Sequence, residues 1–140
     1  MKQACKKLLI YIDGASHGNP GPSGIGVIIG DEEGNTLGNI SKFIGNATNN
    51  IAEYTALIYS LQEALILRAD EVIIKTDSEL LAKQLNGEYK VRDAGLKPLY
   101  EQVLHLSGGF RKFEIRHIDR SDNKDADRLA DKAIKKESLF

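Results

Sequence analysis

At 140 residues, 41% of them hydrophobic and 28% charged, the chain has the length and composition of one globular domain spanning residues 1–140, and not of a disordered or fibrous protein. A single cysteine, Cys5, excludes an intrachain disulfide and a cysteine-built zinc site, and it fits a reducing compartment, the cytoplasm. The net charge of −1 hides an uneven distribution: Asp31 to Glu79 holds nine acidic and three basic residues, whereas Arg111 to the C-terminus holds nine basic and seven acidic ones.

The basic start MKQACKK is followed by only five apolar residues, 8–12, too few for a secretory leader or a membrane span. Residues 8–12 predict a buried strand that stops at Asp13. A loop rich in glycine and proline follows, then a second apolar strand over 25–29. DEEGN reads as a turn, because Gly34 and Asn35 tolerate positive φ. Residues 36–44 alternate weakly, as an edge strand does. From Asn50 the period becomes helical, with Ile51, Thr55, Ile58, Leu61 and Leu65 spaced by three and four. Asn50 is the expected N-cap and Glu53, three places on, its capping-box partner. EVIIKTD predicts a short buried strand, SELLAKQL a short helix stopped at Gly87, and LKPLYEQVLHL another helix. FRKFEIRHI alternates as a strand, and a last helix runs from about Asn123 to Lys136. The order β-β-β-α-β-α-α-β-α predicts an α/β fold with a mixed sheet, parallel where helices cross over, and helices on both faces.

Two of these strands, LLIYID and EVIIKTD, end in an aspartate. In open α/β sheets ligands gather at the carboxyl ends of the strands. If the two strands are neighbours, Asp13 and Asp77 lie about one strand spacing apart, roughly 5 Å. Two carboxylates that close require a proton or a cation between them. No Cys or His cluster accompanies them, so a hard divalent cation with oxygen ligands fits better than zinc. Two such ions can clamp the attacking and leaving oxygens of a phosphodiester displacement. The glycine-rich loop would let a sugar-phosphate backbone approach. Taken singly, Asp13 could be a turn residue, Glu53 a capping partner, Asp77 an N-cap and Asp127 an acid favoured near a helix start.

The stretches YIDGASHGNPGPSGIGVII, ATNNIAEYTAL, IKTDSELLAKQLNG and NKDADRLADKA, in this order and spacing, resemble ribonuclease H, type 1, over nearly the whole chain. The resemblance implies a ribonuclease H-like five-stranded mixed sheet flanked by helices. It implies hydrolysis of the RNA strand of an RNA/DNA hybrid, leaving 5′-phosphate and 3′-hydroxyl ends. It places the catalytic, metal-holding tetrad on Asp13, Glu53, Asp77 and Asp127, with two magnesium ions, or manganese in their place. By similarity Asp13 bridges the two ions, Asp127 serves the ion that activates water, and Glu53 and Asp77 serve the ion at the leaving oxygen. Ser16, Asn19, Thr48, Asn49 and Asn50 match positions that touch the hybrid, where short polar groups can test for a 2′-hydroxyl. No membrane and no obligate protein partner is implied.

Two departures stand out. NGEYKVRDAGLKP is too short for the basic protrusion that many bacterial members carry, leaving Lys90, Arg92 and Lys97 as weak substitutes. Arg120 occupies the place of an auxiliary histidine in the loop before the last helix; His117 lies earlier, in the strand, and reads as structural. Two other readings stay open: a non-catalytic hybrid-binding module on the same fold, and a fragment of an actin-like nucleotide-binding protein.

Overall fold

The computed structural model describes residues 6–137, so Cys5 lies outside the described residues. The elements in chain order are β1 (Lys7–Ser16), β2 (Gly21–Gly30), β3 (Thr36–Ala47), α1 (Asn49–Ile66), β4 (Glu71–Thr76), α2 (Glu79–Leu85), α3 (Lys97–Ser107), β5 (Lys112–His117) and α4 (Lys124–Glu137). The strands form one five-stranded sheet in the order β3-β2-β1-β4-β5. The β1–β2 and β2–β3 pairs are antiparallel, and β1–β4 and β4–β5 are parallel. This is the mixed α/β sheet that the element order predicts.

Alternation explains the layering. Leu8, Ile10 and Ile12 of β1 are fully buried, and with Ile25, Val27, Val72 and Ile74 they meet Leu57 and Leu61 of α1. Each such side chain contributes on the order of 1.5–3 kcal/mol by leaving water. A side chain at Gly14 would run into α1, whereas side chains at Gly24 and Gly26 would run into α4. The two helices therefore cover opposite faces of the sheet, and both β1 and β2 read as continuous apolar runs rather than alternating ones. Among the described residues no helix is long and apolar enough to cross a membrane.

Three local expectations are corrected. The first two strands extend beyond 8–12 and 25–29, because the ladder continues past Asp13 to Ser16, which pairs with Ser23. Only residues 17–20 turn the chain. The N-cap of α1 is Thr48, not Asn50: the Thr48 hydroxyl accepts from the Ile51 amide, and Asn50 is already helical. Glu53 is not a capping-box partner, since its carboxylate reaches away from its own helix to the Gly14 amide on β1. Residues 86–96, between α2 and α3, form no helix, as the short segment there implied.

Candidate metal centre and active site

Parallel pairing of β1 with β4 in the register Ile12↔Thr76 brings the next residues, Asp13 and Asp77, to the same edge of the sheet. Glu53 arrives from α1. A Cβ on Gly14 would collide with the Ala52 carbonyl and the Glu53 amide, so glycine lets the helix backbone rest against β1. The Gly14 N–H then donates to Glu53 Oε1. Asp127 arrives from α4 by the same device on the other face. Gly26, paired with Asp13 in the ladder, would with any Cβ strike the Ala126 carbonyl and come within 2.8 Å of the Ala130 amide. Its bareness seats the first turn of α4 against the sheet beside Asp13.

The four carboxylates line one cavity of about 290 Å³, together with Asn49, Ser78 and Arg120. Carboxylate oxygens of Asp13, Glu53 and Asp77 all lie within 4.8 Å of one another. Asp127 stands outside that trio but lies near enough for its carboxylate to help raise the Asp13 carboxyl. A larger hollow of about 430 Å³ near Tyr11 and Arg128 holds none of the four.

Asp13 and Glu53 are 5% and 2% exposed. Burial, then the charges of Glu53 and Asp77, push Asp13 up to about 10. Burial pushes Glu53 up to about 8 against the opposing pull of the Gly14 amide. The cluster thus carries more negative charge than the protein alone neutralises, and it must hold protons or a cation. Glu53 Oε2 is buried without a hydrogen-bond partner, an acceptor that a cation would satisfy. An all-oxygen set of this kind fits a hard divalent cation and not zinc.

The polar residues of the glycine loop and of the turn before α1 adjoin this edge and mostly serve one another. Ser16 Oγ donates to the Ala47 carbonyl at 2.8 Å and accepts from the Asn19 amide. Asn19 Oδ1 accepts from the Asn49 amide at 2.9 Å. The glycine loop is thereby tied to the start of α1, and Asn49 and Asn50 present exposed side chains there. Arg120 is exposed and lines the cavity. His117, read as structural, is exposed at the end of β5. Sequence reasoning missed Asn123, which is 1% exposed and hydrogen-bonds into this edge; an asparagine before a helix signals only a cap.

The family model described as reverse transcriptase-like matches residues 11–133. A bifunctional protein of Mycobacterium tuberculosis is 40% identical over 129 residues, 91% of this chain and 35% of its own length. The ribonuclease HI of Halobacterium salinarum is 39% identical over 124 residues, 89% of this chain and 62% of its own length. The chain thus spans about a third of the first relative and less than two-thirds of the second. The crystal structure of the Halobacterium RNase H1 superposes with a TM-score of 0.91 at 37% identity, covering 93% of this chain and 98% of that one. LC11-RNase H1, solved in complex with an RNA/DNA hybrid, superposes with a TM-score of 0.89 at 42% identity, covering 95% and 99%. With sequence similarity and superposition both spanning nine-tenths of the chain, it belongs to the ribonuclease H family, type 1, in a form without the basic protrusion.

Proposed function

We propose that the protein is a divalent-metal-dependent endoribonuclease that hydrolyses the RNA strand of RNA/DNA hybrids, giving 5′-phosphate and 3′-hydroxyl ends. The observation that carries the reading is the convergence of four carboxylates, two from where the parallel pairing of β1 and β4 ends and two from helices, in one open cavity. A binding module gains nothing from such a cluster, because it repels phosphate.

Asp13, Glu53, Asp77 and Asp127 would hold two magnesium ions, with Asp13 shared. Bound magnesium supplies positive charge for the attacking and leaving oxygens of an in-line phosphodiester displacement. The remaining work falls to the chain. The Gly14 amide orients the Glu53 carboxylate. The close approach of α4 to Gly26, opposite Asp13, sets Asp127 beside Asp13. Asn49 and Asn50, at the start of α1, offer amides to sugar hydroxyls, and Arg120 in the cavity wall offers charge to phosphate. Ser16, Asn19 and Thr48 act on the substrate by holding that wall in place. The protein is read as one cytoplasmic domain.

The test is incubation of the protein with end-labelled hybrid, duplex DNA and single-stranded RNA, in magnesium and in chelator. Steady cleavage of the RNA strand of the hybrid, only with magnesium and lost in Asp13→Asn, is the expected result. Retention of hybrid without cleavage in magnesium would leave a binding module instead.

A further inference from the structure

We propose that Asn123 is a positioning residue of the metal centre. It fixes β1 at the residue before Asp13, and the Asp77 carboxylate, against the start of the helix that carries Asp127. This rests on the reading of the four carboxylates as a cation site.

Asn123 precedes the first turn of α4 and is 1% exposed. Its Nδ2 donates to the Ile12 carbonyl at 2.8 Å, one residue before Asp13. The same Nδ2 donates to Asp77 Oδ2 at 3.4 Å. Its backbone carbonyl accepts from the Asp127 amide at 3.1 Å. One residue thus touches three of the four segments that carry a carboxylate. The orientation of the side-chain amide follows from its surroundings: a carbonyl and a carboxylate can only accept, so the NH2 group must face them.

Asn123 Oδ1, in contrast, is buried with no partner. Burying a polar group half-used is unfavourable, so a residue kept only for packing would be apolar. Serine is too short to span both acceptors, leucine has no donor, and aspartate adds a fifth negative charge beside Asp77. The amide is the side chain that donates to Asp77 without adding charge. Groups that orient metal ligands from behind commonly change metal affinity when removed.

The experiment is calorimetric titration of magnesium into the parent protein, Asn123→Leu and Gln84→Leu, each at a temperature where it is folded. Gln84 is the control: it is 5% exposed and its Oε1 accepts from the buried Tyr54 hydroxyl at 2.6 Å, a hydrogen bond that involves none of the four carboxylates. Asn123→Leu is expected to bind magnesium about ten- to a hundredfold more weakly. Gln84→Leu is expected to bind as the parent does while losing thermal stability. If Asn123→Leu does not fold, Asn123→Ser, which removes volume without adding an apolar branch, is titrated in its place with the same expectation. Parent-like affinity in a folded Asn123 variant would overturn the inference and leave the cation site standing. A parent protein that binds no magnesium would overturn the cation-site reading itself.

Discussion

In the folded chain Asp13 holds a proton from its ordinary value of 3.8 up to about 10, and Glu53 from 4.5 up to about 8, because burial and neighbouring carboxylates disfavour their charged forms. Unfolded, both groups are ionised over those windows. The folded state binds more protons, so stability is greatest below the unfolded values and falls as pH rises through the windows. In chelator, the thermal midpoint is expected to drop between about pH 5 and pH 8, and in saturating magnesium the drop should flatten, since a cation that binds the folded state replaces the protons. Asp13→Asn should abolish cleavage. It should leave metal-free stability unchanged or raise it by up to about 1–2 kcal/mol, within the range of single stabilising changes. Paired melts in chelator and magnesium check the stability statement, and the hybrid assay checks the loss of cleavage; a mutant melting well below the parent in chelator would make Asp13 a structural residue. Arg120 is exposed in the cavity wall, and its guanidinium offers no oxygen to a cation. Arg120→Ala should therefore lower turnover modestly and leave the magnesium dependence in place, whereas complete inactivity with an intact fold would put the guanidinium in the chemistry.

At the scale of elements, the site depends on how closely two helices approach the sheet. Gly24 and Gly26 both face α4, and a Cβ on either meets helix backbone: the Ala130 carbonyl at 2.6 Å for Gly24, the Ala126 carbonyl for Gly26. Backbone cannot yield as a flexible side chain does, so Gly24→Ala and Gly26→Ala should each cost at least about 1–3 kcal/mol, measured by urea unfolding. Only Gly26 sits opposite Asp13, so Gly26→Ala should lose much more activity than Gly24→Ala under conditions where both are folded. The same geometry explains what the sequence could and could not disclose. Asp13 and Asp77 were legible as partners because a buried apolar run that stops at a carboxylate is a local pattern, although the strand carrying Asp13 runs on to Ser16. The start of α1 was not, because Thr48, Asn49 and Asn50 are all capping residues and the choice is settled by Asn19, 30 residues away, bonding the Asn49 amide. Glu53 looked like a cap partner by spacing, and its true donor, Gly14, is 39 residues distant. Asn123 could not be read at all, since its partner at Ile12 lies 111 residues away.

For the whole molecule, the charge distribution sets how strongly a hybrid is held. The net charge is −1, and the cavity edge is itself acidic, so affinity must come from the few cations that can reach phosphate. Residues 86–96 form no helix, and Lys90 and Arg92 within them, with Lys97 at the start of α3, are exposed without the reach of a helical protrusion. Each phosphate neutralised releases condensed counterions, so the logarithm of the binding constant falls with the logarithm of salt by a slope of about 0.9 per neutralised phosphate on duplex DNA. With so few cations, hybrid binding should be weak and its salt slope shallow, well short of the slope expected when about six phosphates are neutralised. The measurement is hybrid binding by fluorescence anisotropy over a salt series, in calcium or with Asp13→Asn to prevent cleavage. Replacing Lys90 and Arg92 by alanine should lower the slope by nearly one unit for each phosphate that is no longer neutralised. A parent slope of six or more would mean that cations elsewhere on the surface, such as those of α4, also track the backbone, and that the missing protrusion has been replaced rather than simply dropped.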